Sequence, residues 1–335
     1  MAETIQRAGS NLWETLADKA LAGERPTREE ALAVLRSGDD ELLALLHAAF
    51  RVRKRYFGKK VKLNMIINAK SGLCSEDCGY CSQSKVSSAP IEKYPLLSKE
   101  VLVEGARKAW ERKAGTYCIV TSGRGPTPGE VEEVIAAVQE IKKELPIKIC
   151  TSLGLLSEEQ ARRLKEAGVD RYNHNLNTSA DHYANIATTH TYGDRVRTVE
   201  TVKRAGFSPC SGCIIGMGET DEQIVDIAFS LRELDADSIP VNFLHPVPGT
   251  PLEGKNELDP RRCLKVLALF RFVCPTKEIR VSGGRESNLR SLQPLALYPA
   301  NSIFIGDYLT TPGQKAEDDY GMIADLGFEI EECAL

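Results

Sequence analysis

The sequence predicts an α/β protein, a (β/α)8 TIM-type barrel preceded by an N-terminal helical extension. Three observations carry this expectation. From about residue 61 onward, short β-rich runs alternate with amphipathic stretches of helical period. Eight such units can be counted, and eight parallel strands joined by right-handed helical crossovers are the number that closes a barrel. No G-x-G-x-x-G turn follows a strand, so the open, doubly wound alternative lacks its dinucleotide loop.

Taken in order, residues 1–60 read as the helical extension and 61–335 as the barrel with a C-terminal tail. Leu12, Leu16, Ala17 and Leu21 share one helical face. A second helix starts at Pro26-Thr27-Arg28-Glu29-Glu30 and carries Leu32 and Leu35, and Leu42, Leu43 and Leu46 continue the pattern. The basic Arg51, Arg53, Lys54 and Arg55 read as a solvated helix end. Strands are expected over 62–68, 116–122, 147–153, 171–178, 208–216, 238–245, 278–283 and 302–308. Helices are expected over 98–112, 129–143, 157–167, 193–204, 221–234 and 260–273.

Composition narrows the class of function. With 42% hydrophobic and 27% charged residues and a net charge of −4, the chain is globular and offers no electrostatic reason to bind nucleic acid. No apolar run spans a bilayer, and Met1-Ala2-Glu3-Thr4 lacks a signal-peptide pattern, so no membrane association and a cytoplasmic location are expected. Ten cysteines in such a chain point to ligation or catalysis rather than to a disulfide framework.

Cys74, Cys78 and Cys81, spaced C-x-x-x-C-x-x-C after the first strand, can grip three corners of a compact iron–sulfur cluster and leave one iron open. The next cysteine, Cys118, lies far outside zinc-ribbon spacing. The motif, with Tyr80 just before its last cysteine, resembles the signature of the radical S-adenosylmethionine enzymes, in which the cofactor's methionyl amine and carboxylate take the open iron. Barrel active sites collect at the C-terminal ends of the strands, and Cys118, Cys150, Asn173, Asn175, Cys210, Asn242 and Arg280 sit in the later strands. A single strand cysteine is ordinarily core. Three beside a cluster loop leave a second iron–sulfur site and a buried core reading both open.

Longer stretches carry a closer resemblance over nearly the whole chain. They are residues 74–83, 172–178, Cys210-Ser-Gly, 214–220, Gly249-Thr-Pro-Leu, 280–286 and 300–304. In these the chain resembles the biotin synthases. The resemblance implies radical insertion of sulfur into dethiobiotin, the last step of biotin formation, by a sulfurtransferase. Cys74, Cys78 and Cys81 would hold a [4Fe–4S] cluster that cleaves S-adenosylmethionine. Cys118, Cys150, Cys210 and Arg280 match the ligands of a second cluster, typically [2Fe–2S], the expected sulfur source. Gly212, Ile214 and Gly216 match the segment lining the adenosine side of the cofactor, as would Tyr80; Asn177 would meet the ribose, where some relatives carry Asp. Asn175 and Asn242 would contact substrate, whose neutral ureido group suits amides. The resemblance also implies a flavodoxin or ferredoxin as electron donor and a homodimer.

Cys213 departs from the family pattern. On an ideal strand it faces away from Cys210, so it is expected to lie outside the ligand set; a bulge would instead permit a four-thiolate cluster with Cys213 in place of Arg280. His174 is expected to be a structural hydrogen-bonder, and Cys263, Cys274 and Cys333 to be non-ligands. Residues 122–126 are a second candidate for the methionyl end of the cofactor. The alternatives are another radical enzyme, such as a mutase or maturase, and a non-catalytic electron carrier, which would close its cluster with a fourth protein ligand.

Overall fold

The computed structural model describes residues 2–332, so Cys333 lies outside the described residues. Helices α1 (Ala2–Leu21), α2 (Arg28–Arg36) and α3 (Leu42–Phe57) come first. Each barrel strand then feeds a helix: β1 (Lys60–Lys70), α4 (Lys99–Glu111), β2 (Thr116–Thr121), α5 (Pro128–Glu144), β3 (Lys148–Ser152), α6 (Glu158–Glu166), β4 (Arg171–Asn173) and α7 (Tyr192–Arg204). The second half runs β5 (Ser208–Cys210), β6 (Cys213–Ile215), α8 (Asp221–Glu233), β7 (Ser238–Phe243), α9 (Pro260–Val273), β8 (Glu278–Val281), α10 (Arg285–Leu289), β9 (Ser302–Phe304), α11 (Ala316–Asp325) and β10 (Glu329–Ile330).

The helices start where their caps say they should. Thr27, Thr127, Ser157, Thr191 and Thr220 each accept from the backbone N–H three residues on, and the side chain at that third position reaches back, a reciprocal cap worth about 1 kcal/mol each. Every strand pairing is parallel, and β9 returns to pair with β1, which closes the sheet. The expected strand 208–216 is two pieces, β5 and β6, that together fill one place between β4 and β7. The break falls at Gly212, where an added Cβ would sit 1.9 Å from the Pro240 carbonyl oxygen. The expected strand 171–178 stops at Asn173, and Asn177 takes a left-handed φ of 70° that no regular strand continues.

The tail is not loose. β10 extends the sheet beside the start of β1, pairing Lys60 with Glu329 and Val61 with Ile330. The basic stretch at the end of α3 departs from expectation at Arg53, which is fully buried rather than solvated. Its guanidinium donates to the carbonyls of Gly58, Lys60 (2.8 Å) and Ala300 (3.2 Å) and lies 4.6 Å from the Phe328 ring centre, so it ties the helical extension to both ends of the barrel chain. Arg51 behaves differently and pairs with Glu14 and Asp18 on α1.

A buried ion pair ties α11 to α10. Arg285 Nη2 donates to both carboxylate oxygens of Asp319 at 2.8 Å, and Asp319 has no exposed surface. Asp319→Ala would leave the Arg285 charge buried without its partner. It is expected to lower unfolding free energy by about 3–5 kcal/mol, read as a shift in the urea midpoint at unchanged slope.

Candidate functional site

A cavity of about 310 Å3 opens at the C-terminal mouth of the barrel, where Cys74, Cys78 and Cys81 line one wall and Asn173, Asn175 and Asn177 another. An adjoining cavity of about 230 Å3 shares Tyr80, Ile214 and Asn242 with it and reaches Phe304 and Tyr308. Phe304 and Tyr308 pack on Cys118 and Cys150. The combined hollow therefore has one set of thiols in its wall and another just beyond its far end.

The loop that carries Cys74, Cys78 and Cys81 leaves β1 and has little regular structure, so side chains hold it. Ser71 and Tyr94 pair as an isolated bridge, and Gly79 N donates to Ile186 O at 2.9 Å. Asp77 accepts from the backbone of Thr188 and Thr189, stitching the loop to the segment before α7. Glu76 accepts from Thr189 Oγ1 at 2.7 Å and from His190 Nδ1 at 2.6 Å. His190 Nε2 in turn lies 2.7 Å from Arg195 Nη2. A guanidinium only donates, so Nε2 must be the bare nitrogen and Nδ1 must carry the proton toward Glu76. Burial and the Arg195 charge hold His190 below the ordinary imidazole value, which keeps this neutral tautomer in place. Glu76, His190 and Arg195 escaped the sequence reading; only Glu76 lies within the motif, and nothing in sequence joins the other two to it.

The second set of thiols is set by strand register. Cys118 pairs directly with Cys150, and Cys210 sits on β5 opposite Asn173. The Cys150 thiol is within hydrogen-bonding reach of both Cys118 and Cys210. Arg280 is buried beside them with its guanidinium carbon 4.9 Å from the Phe304 ring centre. Burial disfavours its charge, but Glu278 and the thiols of Cys210 and Cys118 outweigh that and hold its pKa above the ordinary value. Its Nη1 is buried and has no hydrogen-bond partner among the described residues.

Cys213 does not join this group. It is fully buried in the main apolar core, pairs with Val241 in the sheet, and Glu219 rather than any thiol is the charge that bears on it. The strand break at 211–212 could have turned it inward, yet Ser211 N bonds Ser238 O and Ile214 N bonds Asn177 O, so each side of the break keeps its own register. Cys263 and Cys274 are also buried in that core, away from the cavity.

The polar residues split between those with spare groups and those already committed. Asn242 is held at both ends of its amide, by Cys213 O at 2.9 Å and Gly283 N at 3.0 Å. Asn175 accepts from Gly212 N through Oδ1, and Asn177 Nδ2 donates to Tyr80 OH at 2.7 Å. Ile214 packs with Tyr80 and Met217, and Glu219 accepts from the backbone of Gly216 and Met217, which explains why an acid follows the glycines. His174 differs from expectation. Its Nε2 is buried in the cavity wall without a hydrogen-bond partner among the described residues, and burial holds it neutral, so it is not spent on structure. From 122–126, Ser122 and Arg124 line the first cavity.

Both thiol sets suit iron–sulfur ligation. Among the described residues no three acidic, imidazole or thiol groups converge tightly enough for a single metal ion, and thiolates splayed around a polynuclear cluster need not do so. Three buried thiols within the field of Arg280, whose Nη1 has no partner among the described residues, leave polar capacity for such a group.

This barrel and mouth define a radical S-adenosylmethionine enzyme: the Radical SAM superfamily profile matches residues 70–231, and the Biotin and Thiamin Synthesis associated domain profile matches 240–329. The fold alone is shared with a solved methylornithine synthase (TM-score 0.82, 22% identity, 95% of this chain and 98% of that one). It is shared likewise with an FeFe-hydrogenase maturase from Carboxydothermus hydrogenoformans (TM-score 0.81, 18% identity, 99% and 82%). The chain is 64% identical to the biotin synthase of Bacillus subtilis strain 168 over 96% of both chains, and 66% identical to that of Geobacillus thermodenitrificans over 95% of this chain and 96% of that one. The chain belongs to the biotin synthase family. Its activity is the radical insertion of sulfur into dethiobiotin, with a [4Fe–4S] cluster, S-adenosylmethionine and a second iron–sulfur cluster. Among the described residues no helix is long and apolar enough to cross a membrane.

Packing sets an order of thiol reactivity in iron-free protein. Cys74 is half-buried, whereas contact within the trio and burial push the Cys150 and Cys210 thiols well above their ordinary pKa, and burial does the same to Cys213. Timed iodoacetamide alkylation followed by peptide mass spectrometry is expected to label Cys74 well before these three; equal rates would contradict the packing.

Proposed function

We propose that Cys74, Cys78 and Cys81 ligate the radical-generating cluster and that Cys118, Cys150, Cys210 and Arg280 hold the second, a [2Fe–2S] cluster that is the sulfur source. The observation that carries this reading is a hollow with one thiol set in its wall and, beyond Phe304 at its far end, a second buried set whose neighbour Arg280 has an unpartnered Nη1. When bound, the [4Fe–4S] cluster and S-adenosylmethionine supply the hydrogen-abstracting radical that unactivated C–H bonds demand, and the second cluster supplies sulfur.

The chain's own residues bind, orient and exclude water. Tyr80, Asn177 and Ile214 line the cofactor side, where Tyr80 and Asn177 brace each other, while Gly212 and Gly216 lie behind this wall and let the segment pack closely on Pro240 and Leu258. Arg195, held by Tyr183, His190 and Asn175 O, presents a fixed cation to the cofactor's carboxylate. Dethiobiotin lies against Asn175 and Asn242, with His174 Nε2 free for one more neutral hydrogen bond. Val120, Leu155 and Leu309 give the hollow apolar walls that limit access of water to a reactive radical.

A flavodoxin or ferredoxin as electron donor, a cytoplasmic location, a homodimer and a division at 60/61 between helical extension and barrel belong to the same reading and rest on resemblance and element order.

Three variants test the ligand sets. Cys74→Ala is expected to abolish release of methionine and 5′-deoxyadenosine, because three ligands leave no spare. Cys150→Ala is expected to keep that cleavage and lose biotin formation; biotin at the wild-type rate would remove Cys150 from the second site. Cys213→Ser is expected to leave iron content and spectrum unchanged at a stability cost of about 1–3 kcal/mol for burying a hydroxyl. Loss of the second cluster in that variant would replace Arg280 with Cys213 in the ligand set.

A further inference from the structure

The interior next to the buried thiols holds an ionic cluster that the reading so far leaves unused. Barrel interiors are ordinarily packed with branched apolar side chains. Here Lys62, Glu278 and Arg280 are buried together with Ser238 and Ser302, and the partly buried Arg171 joins them. Glu278 is its centre. One oxygen, Oε1, accepts from Arg280 Nη2 at 2.5 Å and from Ser238 and Ser302 at 3.1 Å each. The other, Oε2, accepts from Arg171 Nη1 at 2.7 Å and Lys62 Nζ at 3.2 Å. A buried carboxylate with both oxygens fully used and three cations around it is not needed to hold any one strand pair, since the sheet's own hydrogen bonds do that.

The geometry of Arg280 suggests what the cluster is for. Its Nε meets Ser302 at 3.3 Å, and its Nη2 meets Ser238 at 2.9 Å as well as Glu278. A guanidinium is a rigid plane, so fixing two of its nitrogens fixes the direction of the third. The third, Nη1, is the one left without a partner among the described residues. Glu278 precedes Arg280 by two positions on β8, so strand alternation puts both on the same interior face. Arg171 and Lys62 pair with the Glu278 oxygen that Arg280 does not use, so the carboxylate is not left with an unbalanced buried charge.

We propose that Glu278 is a positioning residue for the second cluster: it clamps Arg280 by its Nη2 edge so that Nη1 faces the three thiols, while Lys62 and Arg171 cancel its charge. This inference rests on the assignment of Arg280 as fourth ligand. It makes β8 contribute a ligand and that ligand's clamp within three residues, with the counter-charges coming from β1 and β4.

The test compares wild type, Glu278→Gln, Glu278→Asp and Arg280→Met after anaerobic reconstitution with iron and sulfide. Iron and sulfide per chain and the absorption and Mössbauer spectra report the second cluster, and 5′-deoxyadenosine release reports the first. Glu278→Gln is expected to weaken retention of second-cluster iron roughly ten-fold or more, to shift the spectrum in the direction seen for Arg280→Met, and to keep the first cluster. Glu278→Asp, which retains the charge on a shorter stem, is expected to recover part of both signals. Wild-type iron content and an unshifted spectrum in Glu278→Gln, with Arg280→Met altered, would overturn the positioning role while leaving Arg280 as ligand. An unaltered spectrum in Arg280→Met would instead remove the ligand assignment, and the inference with it. Should Glu278→Gln fail to fold, shown by loss of the first cluster too, the spectrum of Glu278→Asp decides in the same way: a wild-type spectrum refutes the clamp, and a shifted one supports it.

Discussion

A parallel strand shows alternate side chains to one face, and a closed barrel has a single interior for all of them. That parity governs this molecule. Lys62, Cys118, Cys150, Cys210, Ser238, Glu278, Arg280 and Ser302 stand at matching alternate positions, and the register that pairs Cys118 with Cys150 and Arg280 with Ser302 brings them together. A one-residue slip in any of these strands would turn its member of the set out toward the helices. Closure by the β9–β1 pairing is therefore a condition for the site as well as for the fold.

The two thiol sets are built by opposite means. The buried set hangs on regular strands and inherits their rigidity. Cys74, Cys78 and Cys81 sit on an irregular loop, whose order comes from its own Glu76 and Asp77 bonding Thr188 and His190 of the β4–α7 segment, with Arg195 of α7 behind His190. The first set faces the open mouth of the barrel, whereas Cys118 and Cys150 lie inside, packed with Phe304. The hollow lies between the two sets.

The strand break between β5 and β6 shows how a local irregularity need not alter which thiols are grouped together. Gly212 packs too closely on Pro240 for any side chain, and its backbone is engaged by Asn175 and Asn177, so the extra length is absorbed there. Cys210 keeps the inward face and Cys213 returns to the apolar core with Val241 as its sheet neighbour. The same interval sets Ile214 against Tyr80, joining the glycine-rich segment to the loop of the first thiol set.

Local chemistry determined much of this by itself. Hydrophobic period and cap residues such as Thr127 with Glu130 located the helices, because those signals act within one turn, and the C-x-x-x-C-x-x-C spacing located the first thiol set, because its members share one short loop. Tertiary structure decided the rest. Arg53 looked like part of a solvated basic end until the carbonyls of Gly58, Lys60 and Ala300 and the Phe328 ring surrounded it. His190 and Arg195 gained meaning only when Glu76 folded against them, and His174 proved to be unspent because nothing packed close enough to bond its Nε2. The clamp of Glu278 on Arg280, countered by Arg171 and Lys62, joins residues more than two hundred positions apart, and burial is what makes each of those charges depend on the others. Sequence spacing carries no record of such pairings, since they arise from closure of the barrel and not from neighbours along the chain.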